Sequence, residues 1–237
     1  MSKAAPPPRL PRPAGPAAPE RPAAPVRPAR PERSARAERP SGAERRDEIL
    51  RIAMETFATR GYHHASLAEI AERAGLTQAG VLHHFRTKAG LLTGVLELRD
   101  ASDIEELGDG RPHGLALLRH LVDTARRNAE REGIVRLYAV LSAESVTAGH
   151  PAQEYFRGRY AGLREIVATA LREAVAAGAL APGLPVAHVA NGVIAVMDGL
   201  QVQWLLAPAA VEMAETTERV IEALIGVPLP PVPDRAG

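Results

Sequence analysis

The sequence predicts an all-α protein, and three observations lead to this fold class. Hydrophobic residues make up 46% of the 237-residue chain but aromatic residues only 3%. The core is therefore rich in alanine, leucine and valine, which suits helices better than sheets. Apolar residues recur at helical spacing after about residue 44. No segment alternates apolar and polar residues as a half-buried strand does.

Composition excludes several classes of protein. The chain contains no cysteine, which excludes disulfides, thiol catalysis and cysteine-ligated zinc. Its N-terminus lacks the apolar core of a signal peptide, and no stretch approaches 18 uninterrupted apolar residues. The sequence also shows no nucleophile–base pairing, phosphate-binding loop or metal-ligand spacing. We therefore expect a cytoplasmic, non-enzymatic protein with no cofactor, no metal and no membrane association.

The first 43 residues differ in composition from the rest of the chain. They hold 12 of the 21 prolines, and nine basic residues against three acidic ones. Proline at this density removes amide donors and fixes φ, so residues 1–43 are predicted to form a disordered, Pro/Ala/Arg-rich tail. Either this tail is solvated without a specific role, or its positive charge attracts DNA phosphates non-specifically.

Two helices are predicted after the tail. Apolar residues follow a helical stripe from Ile49 to Phe57, and Gly61 is suited to end that helix because glycine adopts positive φ at no steric cost. The second helix begins after Ser66. Ser66 and Glu69 have the spacing of a capping box, in which each side chain binds the other residue's backbone amide.

A turn at Gly75 separates the second helix from a third. Thr77 can cap this third helix, over residues 78–85, and Thr87 can cap a fourth over 88–107. Short helices joined in this way form a helix-turn-helix, whose later helix enters the major groove of DNA. Helical bundles without a ligand share this spacing, so the spacing alone does not establish the function.

The rest of the chain is also predicted to be helical, with breaks at glycine and proline. The expected domains are a helix-turn-helix domain over 44–90, a larger helical domain over 91–226 and a flexible C-terminus over 227–237. The helices predicted after the fourth span about 113–131, 134–147, 152–178, 185–206 and 209–225.

The segment around the predicted turn carries a specific motif. It reads SLAEIAERAGLTQAGVLHHFRTK from Ser66 to Lys88 and is followed by Leu91 and Leu92. Over about residues 45–98 the sequence resembles the DNA-binding domain of the TetR family of transcriptional regulators. The resemblance implies a homodimer that binds a double-stranded DNA operator and carries a divergent ligand-binding and dimerisation domain.

The resemblance also implies which residues contact DNA. Thr77 and Gln78 open the third helix, where side chains and free amides can reach bases or phosphates. His83 and His84 lie at its far end, where they are expected to contact the phosphate backbone. The full set of predicted DNA-binding residues is Arg46, Ser66, Thr77, Gln78, Ala79, Gly80, Leu82, His83, His84 and Lys88.

Two of these positions need separate comment. Lys88 stands in the first turn of the fourth helix, where the helix dipole disfavours a cation, and the phosphate that the family binds with this lysine would explain its placement. The family usually has a tyrosine where this chain has Leu82. Leucine cannot donate a hydrogen bond to phosphate, so a neighbouring histidine must compensate or the affinity for DNA is reduced.

The larger domain is expected to bind a small, mainly hydrophobic organic ligand. Gly192, Ala195 and Gly199 lie along one side of the helix at 185–206, which indicates close approach of a second copy or of another helix in the same subunit. Polar residues embedded in apolar helices are candidates for the pocket lining, although each could instead make a structural hydrogen bond. These residues are Arg119, Asp123, Tyr138, Glu144, Tyr155, Asn191, Asp198 and Trp204.

Together with these patterns, the resemblance implies a ligand-responsive repressor. Its dimer would bind a pseudo-palindromic operator and be released by a small organic molecule. Two alternatives remain at this point: a helical enzyme or small-molecule carrier with an incidental helix-turn-helix, and an activator that uses the same DNA-binding domain.

Overall fold

The computed structural model describes residues 41–107 and 112–231, and for 101–107 the backbone alone. These residues form α-helices and one short 3-10 helix, with no strand among them, which confirms the predicted all-α fold. Residues 1–40 of the predicted tail and 232–237 of the predicted C-terminus lie outside the described residues. The helices are α1 (Gly42–His64), α2 (Leu67–Arg73), α3 (Gln78–Phe85), α4 (Lys88–Leu107), α5 (Gly114–Asn128), α6 (Glu132–Glu144), α7 (Gln153–Ala176), α8 (Val186–Leu206) and α9 (Met213–Ile225), and the 3-10 helix is Pro208–Ala210.

α1 begins earlier than the sequence predicts. The Ser41 hydroxyl accepts a hydrogen bond from the Glu44 amide at 3.2 Å, and the Glu44 carboxylate accepts one from the Ser41 amide at 2.7 Å. This reciprocal capping box stabilises the first turn. Residues 42 and 43 therefore belong to α1 rather than to the predicted tail.

The regular part of α1 ends at Gly61, as predicted. Gly61 has φ 70° and ψ 176°, outside the helical region, and a further short turn extends to His64. Most residues disfavour positive φ because of their Cβ atom, so glycine is favoured at this break. The break redirects the chain toward α2.

α2 and α3 form the predicted helix-turn-helix. Gly75 has φ 63° in the turn between them. The Thr77 hydroxyl accepts a hydrogen bond from the Gly80 amide at 3.1 Å, and the Thr87 hydroxyl accepts one from the Gly90 amide at 2.9 Å. Both predicted caps are confirmed. α1, α2 and α3 are called the reading head below.

The capping box predicted at Ser66 is wrong. The Ser66 hydroxyl accepts from the Ala68 amide at 3.2 Å and so caps α2 from one side only. The Glu69 carboxylate instead accepts from the Arg60 guanidinium at 3.0 Å. An arginine on the neighbouring helix offers a charge-assisted partner, which the local sequence pattern could not reveal.

The reading head shares its core with the larger domain. α1 packs against both α4 and α6. Ile49 and Phe57 of α1 are fully buried in one apolar cluster with Leu91 of α4 and with Leu137 and Leu141 of α6. The apolar side chains that stabilise the reading head therefore also attach it to α4 and α6.

A second core joins α5, α7, α8 and α9. Leu118, Leu171, Val193 and Ile221, one from each of these helices, are among its buried members. A smaller cluster beside it contains Trp204. The helix packing of the larger domain thus surrounds two apolar centres.

The described part of the C-terminal segment is packed rather than flexible. Leu229 is buried, and its amide donates to the Glu222 carboxylate at 3.0 Å. Arg119 of α5 donates to the Pro230 carbonyl at 2.7 Å and to the Glu218 carboxylate at 2.7 Å. Residues 227–231, part of the segment predicted to be flexible, are thus held in this structure by a buried arginine from a distant helix.

α8 presents an apolar surface outside the described cores. Among the described residues it is the one helix long and apolar enough to cross a membrane by length and composition, yet only 28% of its most apolar stretch is buried. Leu206 is 82% exposed and Val202 48% exposed. Among residues 41–107 and 112–231 this surface has little cover, which is unfavourable in water.

Candidate nucleic-acid interface and ligand-domain cluster

The first turn of α3 is open to solvent. Thr77, Gln78 and Ala79 are exposed, whereas Val81 and Phe85 on the opposite side are buried. The Thr77 cap uses one free amide of this turn and leaves the Gln78 and Ala79 side chains facing outward. α3 is thus packed through Val81 and Phe85 on one side, and its N-terminal turn is accessible from solvent on the other.

Basic and aromatic groups gather at the far end of α3. His83 is exposed and His84 is half-buried, with their rings edge to face at 5.7 Å. The Arg46 guanidinium of α1 lies over the Phe85 ring at 4.7 Å, a cation–π contact that holds it at this end. Leu82 is half-buried. The structure therefore brings Arg46, His83 and His84 to one end of the predicted recognition helix.

Arg86 is a residue of this region that the sequence reasoning missed. It follows α3 with φ 58° and ψ −44°, the one non-glycine residue at positive φ in the described chain. The Thr87 amide donates across it to the Phe85 carbonyl at 2.6 Å, which closes a tight γ-turn. No sequence signal identifies the turn, because arginine is not a residue that favours such a conformation.

Lys88 makes contacts within the chain. Its ammonium group donates to the His63 carbonyl at 3.3 Å and lies over the Tyr62 ring at 4.5 Å. Partial burial lowers the pKa of Lys88, and the nearby Glu144 carboxylate opposes that shift. These contacts give a second reason, besides a bound phosphate, for a cation at the N-terminus of α4.

Glu144 lies at the junction of the reading head and the larger domain. Its carboxylate accepts a hydrogen bond from the Tyr62 amide at 2.7 Å, immediately after the break at Gly61. His150 is buried beside it, with its Nε2 3.7 Å from the carboxylate and its Nδ1 accepting from the Ala152 amide at 3.2 Å. Gly61, Tyr62, Lys88, Glu144 and His150 are called the junction cluster below.

Burial determines the protonation of His150. It lowers the pKa of His150, the Glu144 carboxylate acts in the opposite direction, and the His63 ring adds to the lowering. Because Nδ1 accepts a hydrogen bond, the neutral ring carries its proton on Nε2, toward Glu144.

A polar cluster lies inside the larger domain. The Asp100 carboxylate accepts from the Tyr155 hydroxyl at 2.8 Å and from the Arg159 guanidinium at 2.8 Å. The guanidinium groups of Arg99 and Arg159 lie 4.7 Å and 5.5 Å from the centre of the Tyr138 ring. Burial and the bond to Asp100 raise the pKa of Tyr155 to about 12. This cluster joins α4, α6 and α7.

α8 contributes Asp198 to the same cluster. The Tyr160 hydroxyl donates to the Asp198 carboxylate at 2.7 Å. Burial raises the pKa of Asp198, while burial and the bond to Asp198 raise the pKa of Tyr160. Tyr138, Tyr155 and Asp198, three of the predicted pocket residues, are thus brought together, along with Arg99, Asp100, Arg159 and Tyr160, which the sequence reasoning missed. One sequence feature could have indicated part of this cluster: Tyr155 and Arg159 are four residues apart and therefore lie on the same face of α7.

The other predicted pocket residues lie elsewhere. Asn191 is exposed, and Asp123 pairs with Arg126 on the surface of α5. Arg119 anchors the C-terminal segment. Trp204 lies in its own small apolar cluster and borders an open groove of about 340 Å³, which Met213, Glu215 and Glu218 also line. Within the described residues, His, Asp and Glu side chains form no group that could hold a metal ion.

Comparison with known proteins matches most of the chain. The family model described as "Bacterial regulatory proteins, tetR family" matches residues 49–95. The model described as "BetI-type transcriptional repressor, C-terminal" matches residues 115–226. The first match contains the reading head from Ile49 onward, and the second contains α5 to α9.

Individual relatives agree with these matches. The HTH-type transcriptional regulator TtgR of Pseudomonas putida is 28% identical over 189 residues, which cover 75% of this chain and 88% of the relative. A TetR transcription regulator from Haloarcula marismortui has a TM-score of 0.64 at 17% identity, over 78% of this chain and 97% of that one. SmeT, a repressor from Stenotrophomonas maltophilia, was solved as a complex with triclosan and has a TM-score of 0.65 at 19% identity, over 80% of this chain and 99% of that one. The two structural likenesses concern the fold.

The lowered pKa of His150 predicts a dependence of stability on pH. As pH falls below about 6.5, the unfolded chain takes up a proton at this residue before the folded chain does, so the free energy of unfolding decreases until pH reaches the lower folded pKa. Urea unfolding of wild type and of His150→Gln between pH 7.5 and 5 checks this. The wild type should lose more stability over this range than the variant. His188→Gln, at an exposed position of α8, is the control, and parallel curves for wild type and His150→Gln would refute the prediction.

Proposed function

The chain belongs to the TetR family of transcriptional regulators, and we propose that it is a dimeric repressor that binds a pseudo-palindromic operator and is released from it by a small organic ligand. The family's members are DNA-binding regulators, not enzymes. The observation that carries the proposal is the first turn of α3, which is exposed at Thr77, Gln78 and Ala79 and buried below at Val81 and Phe85.

This geometry supports insertion of α3 into the major groove. A recognition helix contacts base edges with its N-terminal residues, and Gln78 is a long, exposed amide at that end. The His83 and Arg46 side chains, at the other end, are in position for phosphates. Leu82, half-buried where the family usually has tyrosine, offers no hydrogen bond, so the N–H donors of these two side chains supply the contact that the tyrosine would make.

The apolar surface of α8 supports a dimer. Little of it is covered by the described helices, and a second copy provides the same surface around a two-fold axis. Ala195, Val202 and Leu206 are exposed along this helix. Gly199 has open space around the position of a Cβ atom, whereas at Gly192 the Leu224 side chain of α9 already lies 3.3 Å from that position. The interface is therefore centred on the Gly199 end of α8, while Gly192 packs within the subunit.

The polar cluster supports ligand binding between α4, α6, α7 and α8. Four of the chain's eight aromatic residues meet there: Tyr138 lies edge to face with Phe156 at 5.3 Å, and Phe156 with Tyr155 at 5.0 Å. Rings and a few hydrogen-bonding groups together suit a mainly hydrophobic, ring-containing organic molecule. The solved complex of SmeT with triclosan is consistent with such a ligand.

One family match supports repression as the direction of regulation. The family model over residues 115–226 is described as that of a repressor, which favours repression over activation. A repressor of this kind works on chromosomal DNA, so the proposed location is the cytoplasm.

Lys88 and Gln78 are expected to affect DNA binding in different ways. Lys88→Ala should weaken binding to all duplexes alike and lower the salt dependence by about one phosphate, a slope of about 0.9 in log K against log salt. Gln78→Ala should instead change the preference among operator variants. Fluorescence anisotropy titrations at several salt concentrations measure both effects. Arg219→Ala, a remote loss of one charge on α9, is the control for net charge. If Lys88→Ala kept the wild-type salt slope, the assignment of Lys88 to a phosphate would be wrong.

Gly199→Leu tests the dimer. Because the space around Gly199 is open within the subunit, leucine should leave the fold intact but keep two copies of α8 apart. The variant should be a folded monomer by light scattering and should lose operator binding. Gly133→Leu, at an exposed glycine of α6 with equally open space, should stay dimeric. A Gly199→Leu protein that remains dimeric would place the interface elsewhere.

A further inference from the structure

We propose that Glu144 is the positioning residue through which the larger domain fixes the reading head in its DNA-binding arrangement. The inference rests on the proposed function and concerns how the site on α3 is controlled. Glu144 ends α6, and its carboxylate is the polar group of α6 that reaches the backbone of α1 in the junction cluster.

The contact is directed at the backbone immediately after the break in α1. After the break at Gly61, the Tyr62 amide donates to the Glu144 carboxylate at 2.7 Å, a charge-assisted bond across 82 residues of sequence. The carboxylate lies against the Cα of Gly61. A Cβ atom there would clash with the carboxylate, so any larger residue at this position would displace the Glu144 side chain, and the φ of 70° also favours glycine.

Two side chains from other elements lie around the Glu144 carboxylate. The Lys88 ammonium group of α4 attracts it, and from the loop after α6 the His150 Nε2 faces it at 3.7 Å. The His63 ring packs against His150 at 5.4 Å from the α1 side. The Glu144 carboxylate thus binds α1 and lies near Lys88, the first residue of α4. α1 and α4 are the helices that precede α2 and follow α3 in the chain.

α6 also reaches the polar cluster. Tyr138 lies six residues before Glu144 on the same helix, about 9 Å along its axis. In this proposal, a ligand that displaces the Tyr138 ring from Arg99 and Phe156 also shifts α6. Since a helix moves as a rigid element, the shift is transmitted to Glu144 and from there to Tyr62.

Hydrogen exchange of the full-length, ligand-free protein tests the contact itself. In Glu144→Ala the Tyr62 amide loses its acceptor, so exchange over residues 57–65 and 86–92 should be about tenfold faster while α8 and α9 keep wild-type protection. Glu144→Gln retains an acceptor oxygen and should stay close to wild type over 57–65. Glu132→Ala, on the same helix but paired on the surface with Arg136, is the control and should change neither segment.

Gly61→Ala provides an independent variant. Its methyl group should displace the Glu144 carboxylate and give the same exchange pattern as Glu144→Ala. Gly178→Ala places alanine at a similar φ of 75° with open space around it, and so measures the backbone cost alone. Faster exchange in Gly61→Ala but not in Gly178→Ala would therefore be due to displacement of the Glu144 carboxylate and not to the backbone conformation.

Operator binding then tests the positioning role. Affinity for the duplex immediately upstream of the coding region should fall about tenfold in Glu144→Ala and in Gly61→Ala, because the two heads no longer hold a fixed spacing. Wild-type exchange over 57–65 in Glu144→Ala would overturn the proposal. So would faster exchange with unchanged affinity, or a loss of protection that includes α8 and α9. If the wild type itself fails to bind DNA, the proposed function fails, while the exchange data still decide whether Glu144 fixes the head.

Discussion

The burial of α1 between α4 and α6 is the constraint on which the rest of the structure depends. The reading head is too small to bury Ile49 and Phe57 with α2 and α3 alone, so these side chains complete their packing on Leu137 and Leu141 of α6. Any movement of α6 must therefore either carry α1 with it or expose apolar surface to water. A shared core of this kind makes the position of α3 dependent on the state of the larger domain.

The polar groups at this boundary give the shared core one defined geometry. Apolar packing is not directional, whereas the bond from Tyr62 to Glu144 and the cation–π contact of Lys88 each require a particular arrangement. Most aromatic residues of the chain lie in one of two regions, the reading head or the polar cluster of the larger domain. Phe57, Tyr62 and Phe85 lie in the reading head, and the other rings except Trp204 lie in the polar cluster. The scarce rings are thus concentrated where DNA and ligand are proposed to act.

Local features could be predicted from the sequence, and distant contacts could not. The turn at Gly75 and the caps at Thr77 and Thr87 depend on residues within three positions of one another, and all three are present. The box predicted at Ser66 failed because Arg60, outside that window, competes for Glu69. The pairing of Tyr160 with Asp198 and the anchoring of Pro230 by Arg119 join residues 38 and 111 positions apart, and no periodicity within one helix reveals them. The DNA-binding roles of individual residues were predicted from the motif over residues 66–88, because that motif is typical of a complete helix-turn-helix.

The central claim, that the chain reads duplex DNA with α3, is tested most directly by titrating the full-length protein against the duplex upstream of its own coding region. A shuffled duplex of equal length and composition, at the same salt concentration, provides the reference. The account predicts saturable binding of two subunits per site, at least about 1,000-fold tighter than to the shuffled duplex. Equal affinity for both duplexes at every salt concentration would contradict it, because a reading head that recognises no sequence cannot direct a repressor to an operator.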